Sequence, residues 1–303
     1  MFLRLILLLT LLFSLPLHAA DVPRVVVSIA PIHSLVAGVM AGVAEPELLV
    51  KGAASPHSYL LKPSQMSVLQ RADLIIWNGE GVESFMPRTL RSIGKGSRVI
   101  KLVALPGITL LPSRGGGVWD AEEAGRQHDH HQENVDGHLW LDPDNAKVIV
   151  TAVATALSEI DPPHAAQYRR NSEGMLQQLD KLAHDLETML APVRNVPYLV
   201  FHDGYHYFEA RFNLHAAGAI SVDPEHKPGA KRLRELSSMI RQRQVRCLFS
   251  EPQFPAATAQ AIIAGSGVKS GVLDPLGSAQ QAGPELYFKL MRGLGKSLVA
   301  CLQ

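Results

Sequence analysis

Apolar residues fall along this chain in two alternating patterns. Short runs at 24–29, 47–50, 73–77 and 98–102 are rich in β-branched and other apolar residues. The third run, Asp73-Leu74-Ile75-Ile76-Trp77, is continuously apolar after its first residue, as in a strand buried on both faces. Stretches of helical periodicity lie between these runs, and Pro31 opens the first of them. Strands alternating with helices predict right-handed βαβ units and a parallel sheet. A second set repeats the plan, with strand-like runs at 197–201, 214–220, 245–250 and 271–273. Helical stretches at 205–212, 229–242, 256–264 and 285–302 surround them. The halves share a plan but no visible sequence repeat.

Two segments stand outside the alternation. Residues 113–135 hold Gly115-Gly116-Gly117 and a polar tract ending in His128-Asp129-His130-His131. Nothing there offers an apolar face, so the segment is expected to be a mobile loop that packs no core. The other begins at Asp161-Pro162-Pro163, the signature of a helix start with Asp161 as N-cap. Leu176, Leu179, Leu182, Leu186 and Leu190 then recur on one helical face. A helix over 161–190 would span about 43 Å, enough to join two lobes rigidly. The expected organisation is α/β: an N-terminal lobe over 21–160, the linking helix, and a C-terminal lobe over 191–303.

Residues 1–20 fit neither lobe. Arg4 precedes an apolar run over 5–17, and His18-Ala19-Ala20 follows with small residues. Positive, apolar, small is the order of a secretory signal, and the run is shorter than a spanning helix requires. No Cys stands near the expected cleavage point, so no lipid anchor is expected. Loss of Arg4 brings the 29 basic residues level with the 28 acidic ones. A neutral chain lacks the electrostatic footprint of a nucleic-acid-binding protein. Its length allows two domains of about 100–200 residues. In an oxidising compartment the two cysteines, Cys247 and Cys301, favour a disulfide. A thiolate metal site is the weaker alternative, because no C-x-x-C pair is present.

Thirteen histidines remain to be sorted. His33, His164, His184, His215 and His226 carry no informative spacing and read as surface or satisfied core residues. His202 directly follows the strand ending at Phe201, and Asp274 follows the one ending at Leu273. In a parallel α/β domain the carboxyl ends of strands face the ligand crevice. His57 lies in a loop of small residues after the strand ending at Val50, and His138 precedes Leu139-Trp140-Leu141-Asp142-Pro143. Two candidates come from each half, so they meet only in a cleft between lobes. Three imidazoles and one carboxylate suit tetrahedral Zn²⁺, whereas Mn²⁺ draws more oxygen ligands. The plainer alternative is that Asp274 caps a turn and His202 merely ends a strand. His128, His130 and His131 are candidates for a weak auxiliary metal site.

These residues sit in segments that resemble the zinc-specific solute-binding proteins of bacterial ABC importers, the high-affinity zinc uptake protein family. The resemblance is collinear from Val25 to Cys301. It includes Ser55-Pro56-His57-Ser58-Tyr59, His138-Leu139-Trp140-Leu141 and Phe201-His202-Asp203-Gly204-Tyr205. It continues through Tyr207-Phe208-Glu209, Pro228-Gly229-Ala230, Ser250-Glu251-Pro252 and Leu273-Asp274-Pro275-Leu276-Gly277. The resemblance implies that His57, His138 and His202 bind the metal, that Cys247 pairs with Cys301, and that two α/β lobes are joined by one long helix. It also implies a periplasmic, monomeric carrier that delivers Zn²⁺ to an inner-membrane ABC permease. The related manganese-binding branch carries Glu at the position of His202, which favours zinc here. Close zinc relatives often carry Glu just before the first His, where this chain has Pro56. The fourth ligand then lies between Asp274 and water.

Three rival readings are consistent with scattered His and carboxylate residues, the third being a structural or adhesive metal protein. A manganese or iron carrier of the same fold would need an oxygen-richer site. A zinc hydrolase would need a general base beside an open coordination position, for which Glu209 and Glu251 are candidates, although no H-E-x-x-H helix is present.

Overall fold

The computed structural model describes residues 22–94, 96–114, 119, 135–221 and 229–303. Residues 1–20 and the histidines at 128, 130 and 131 therefore lie outside the described residues. In the first half, β1 (Val25–Val27), β2 (Glu47–Leu48), β3 (Leu74–Trp77) and β4 (Arg98–Lys101) form one parallel sheet in the order β2-β1-β3-β4. In the second, β5 (Tyr198–His202), β6 (Ala216–Ser221), β7 (Cys247–Ser250) and β8 (Lys269–Val272) form another, in the order β6-β5-β7-β8. Each sheet thus places its first strand second in the order. Both carboxyl edges gather the loops that follow the central strands. The continuous apolar runs became the strands with two covered faces: every residue of β1, β3, β5 and β7 is buried.

Helices α1 (Ala30–Val39), α2 (Pro63–Gln70) and α3 (Met86–Ile93) connect the first sheet, and α4 (Pro143–Ile160) leads away from it. Asp142 caps α4 by accepting from the Asp144 N–H at 2.8 Å. The linking helix begins later than the sequence predicts. Pro162–His164 forms a 3₁₀ turn, and the regular helix α5 covers Ala165–Leu190, about 39 Å long. The Asp161 carboxylate caps no backbone N–H. It accepts instead from the Tyr168 hydroxyl at 2.6 Å and from Nδ1 of His164 at 2.8 Å. In the second half, α6 (His206–Phe212), α7 (Ala230–Gln242) and α8 (Ala256–Ile263) precede the C-terminal α9 (Leu286–Leu302).

Helix α5 touches elements of both halves, and two glycines permit the close approach. A Cβ on Gly38 of α1 would lie 2.3 Å from Sδ of Met175, and one on Gly295 of α9 would lie 2.8 Å from Cδ2 of Leu186. The halves are joined again where α9 begins. Tyr287 donates its N–H to Ser34 of α1 at 2.9 Å and its hydroxyl to the Trp140 carbonyl at 2.8 Å. One apolar cluster runs from Val25 through Leu182 and Leu186 to Leu302 without a break. Cys247 of β7 is disulfide-bonded to Cys301 of α9, as the sequence led one to expect.

The tract 113–135 departs from expectation where it is described. Trp119 is only 8% exposed and belongs to the main apolar cluster, and Arg114 is largely buried. A lone Trp and a lone Arg within a glycine-rich polar segment carry no periodicity, so their partners are visible only in three dimensions.

Candidate metal centre

Three histidines that the sequence spreads over both halves converge at the carboxyl edges of the sheets. The ligand atoms of His57, His138 and His202 all lie within 4.8 Å of one another, the only such His/Cys/Asp/Glu group among the described residues. Each arrives by a different device.

His202 is the last residue of β5 and is buried by that position. Its Nδ1 contacts Oε1 of Glu251 at 2.6 Å, and Glu251 follows the last residue of the neighbouring β7. His138 precedes the 3₁₀ turn Leu139–Leu141. Its Nδ1 contacts Oδ1 of Asp136 at 2.8 Å, and the same oxygen accepts the His138 backbone N–H at 2.9 Å. Asn78, at the end of β3, donates to the Gly137 carbonyl and ties this segment to the first sheet. His57 sits in the loop between β2 and α2. That loop is braced by Tyr59 and Gln65, which both donate to the Leu49 carbonyl, at 3.2 and 2.6 Å. Ser84 donates to the His57 carbonyl at 3.3 Å.

These partners decide which nitrogen faces the centre. A carboxylate accepts, so the Nδ1 of His138 and of His202 carries the proton and each Nε2 presents a lone pair. Those two Nε2 atoms stand 3.2 Å apart. At that distance two lone pairs repel, and the contact is satisfied by a proton shared between them or by a metal ion that displaces it. Tetrahedral zinc with Zn–N near 2.0–2.1 Å sets its ligand nitrogens about 3.3 Å apart. The ring centroids of His57 lie 5.4 and 5.7 Å from those of His138 and His202, which closes the triangle.

Electrostatics follow from burial. Burial, together with the two neighbouring imidazoles, holds the His57 ring well below its ordinary pKa, so it is a neutral donor. At His202 burial pulls the same way, but the Glu251 carboxylate outweighs it and raises the pKa. Burial pushes the Asp136 carboxyl up, but the attraction and hydrogen bonds of His138, together with His206, bring it below its ordinary value. Ser55, Pro56, Trp140, Phe254, Pro275 and Leu276 line the remaining wall, which is largely apolar.

Asp274, expected as the fourth ligand, stands outside the group. Its Oδ1 accepts from Gln253 at 2.9 Å and from the N–H groups of Leu276 and Gly277, both at 3.1 Å. Its Oδ2 accepts from the Ser278 N–H at 2.6 Å and hydroxyl at 2.8 Å. The carboxylate is saturated by the turn it organises, and Gly277 supplies that turn's positive φ of 67°. Asp136 was missed by sequence reasoning, and Glu251 was noticed only as a candidate base. The rule that selected His202, a polar residue just past a buried strand, selects Glu251 equally.

Residues 25–301 match the profile of the family described as zinc-uptake complex component A, periplasmic. The chain is 40% identical over 310 residues to the high-affinity zinc uptake system protein ZnuA of Brucella abortus (strain 2308), covering 94% of this chain and 93% of that one. Its fold superimposes on a crystal structure of ZnuA with a TM-score of 0.79 at 25% identity, over 93% of this chain and 100% of the other. It also superimposes on the solute-binding protein FpvC of Pseudomonas aeruginosa, solved with Mn²⁺, with a TM-score of 0.78 at 23% identity, over 93% and 98%. The last likeness concerns the fold alone.

Proposed function

The chain belongs to the family of periplasmic zinc-uptake component A proteins, and from that premise we propose that it captures Zn²⁺ on His57, His138 and His202 and hands it to an ABC permease in the inner membrane. The observation that carries this reading is the 3.2 Å approach of two Nε2 atoms whose Nδ1 partners are both carboxylates. Three neutral imidazoles bring no charge of their own. Asp136 and Glu251, held one bond behind them, supply two negative charges against the two of the ion and ease its burial. Solvent takes the fourth position, because the Asp274 carboxylate is engaged by its own turn.

A protein donor set of three imidazole nitrogens favours zinc over manganese, which takes oxygen-rich sites. The shared fold of the Mn²⁺-bound neighbour does not weigh against this, since the donors and not the fold select the ion. A hydrolase is disfavoured because both candidate bases are committed. Glu251 holds His202, and Glu209 pairs with Arg114. Residues 1–20 are read as an export signal, which places capture in the periplasm.

A competition titration of the apo-protein with Zn²⁺, Mn²⁺ and Fe²⁺ tests the reading. One tight equivalent of zinc, outcompeting the other two ions, is the expected result. Preference for Mn²⁺ or Fe²⁺ would refute it.

A further inference from the structure

Arg114 belongs by sequence to the tract that leaves the first half of the chain, yet its largely covered side chain packs against the second. Pro112 and Val135 form an antiparallel bridge that holds the two ends of the tract together at its foot. Beyond that foot, Nε of Arg114 donates to both carboxylate oxygens of Asp203, at 3.0 and 3.1 Å, and Nη2 makes a further bond to Oδ1. Nη1 donates to Oε2 of Glu209 at 2.6 Å. The guanidinium carbon lies 3.6 Å from the centre of the Trp119 ring. Trp119 in turn donates its backbone N–H to the Ala217 carbonyl of β6 at 3.2 Å, and its own carbonyl accepts from Arg243 at 2.5 Å. The side chains of Arg114, Asp203 and Glu209 are 19%, 7% and 4% exposed. This is a desolvated, forked ion pair rather than a screened surface contact.

Both ends of this arrangement reach the metal centre. Asp203 directly follows His202. The foot of the tract runs into Asp136, which orients His138. The Asp136 N–H donates to the Leu111 carbonyl at 2.9 Å. The Tyr207 hydroxyl accepts from the Leu111 N–H at 3.0 Å and donates to the Asp136 carbonyl at 2.8 Å. A short path of bonded groups therefore leads from His202 through Asp203, Arg114 and the bridge at Pro112 to Asp136 and His138. Only a guanidinium serves two carboxylates at once while stacking on an indole; an ammonium does part of this.

We propose that Arg114 is a positioning residue for zinc: by gripping Asp203 and Glu209 it fixes the His202-bearing lobe against the segment that carries His138, and so sets the lifetime of the bound ion. The inference rests on the three-histidine reading of the centre. Its role is distinct from ligation, because Arg114 donates to no ligand imidazole.

Removing the charge alone would leave two buried carboxylates unpaired and would test folding instead. Arg114→Lys keeps the charge and loses the fork. The triple variant R114M/D203N/E209Q is neutral throughout and replaces the lysine variant if that one does not fold. Zinc release from the full-length holoprotein is followed by stopped-flow transfer to a chromogenic chelator. The thermal midpoint of the apo-protein and the Co²⁺ absorption spectrum are recorded beside it. Release accelerated about tenfold, with the tetrahedral Co²⁺ bands retained, is the expected result. A purely structural ion pair would lower the apo midpoint and leave release from folded protein within threefold of wild type, and that outcome overturns the proposal. Absence of tight zinc in the wild type would instead sink the three-histidine reading, so the two failures are distinguishable.

Discussion

Glu251 holds Nδ1 of His202 at 2.6 Å across 49 residues of sequence, and Asp136 does the same for His138 from only two residues away. A carboxylate behind an imidazole fixes its tautomer, aims the other nitrogen and makes it a better donor. Glu251→Gln and Asp136→Asn should each weaken zinc binding by roughly 10–100-fold while leaving the stoichiometry at one. Chelator competition measures this. Unchanged affinity in both variants would show that the carboxylates do not support the site.

The imidazoles themselves should matter more. Alanine at His57, His138 or His202 is expected to exceed the roughly 10–100-fold cost of losing a supporting carboxylate. Far-UV circular dichroism should remain that of wild type, since none of the three side chains is part of the apolar core. Wild-type affinity in all three variants would falsify the assignment.

Asp274→Ala separates turn from ligand. The carboxylate accepts three backbone N–H groups and two side-chain donors. Losing such a cap costs about 1–2 kcal/mol of stability. Zinc affinity should change by less than tenfold. A larger loss of zinc, with stability intact, would restore Asp274 to the coordination shell.

Glu83 gives the apo-protein a pH dependence of its own. It is fully buried, and burial pushes its carboxyl up to about 7, although it accepts the N–H groups of Asn78 and Gly79 at 2.7 and 3.4 Å. The folded state therefore holds a proton that the unfolded state has lost between about pH 4.5 and 7. Stability from this group is fully present below the unfolded pKa and declines as pH rises through 7, by about 3 kcal/mol in all. Urea unfolding at pH 5 and pH 8 should show this decline in wild type relative to Glu83→Gln. Parallel pH profiles for the two proteins would refute it.

The disulfide ties strand β7 to the last helix across 54 residues. Replacing both cysteines with Ala should cost up to about 4 kcal/mol, the loop-closure value, measured as a shift in the urea midpoint. Zinc stoichiometry should be unchanged, because neither cysteine is in the metal group. Two titratable thiols in the denatured, non-reduced protein would contradict the pairing.

The sequence by itself determined the layers. Apolar runs such as Leu74–Trp77 have one way to bury both faces, between helices, and the leucine stripe of Leu179, Leu182 and Leu186 has one face to hide. Periodicity is local, so it is legible one segment at a time. The same holds for His202, which a strand delivers to the carboxyl edge whatever its neighbours are. What only the tertiary structure decided is pairing across distance. Asp274 and Glu251 occupy equivalent places just past a strand, and nothing local tells them apart. Folding gives Asp274 a turn rich in N–H donors and gives Glu251 an imidazole. Arg114 and Trp119 likewise have no pattern to betray them: they stack on each other from nearby positions, but the stack is seated only where Arg114 meets Asp203, 89 residues on, and the Trp119 N–H meets Ala217 of β6.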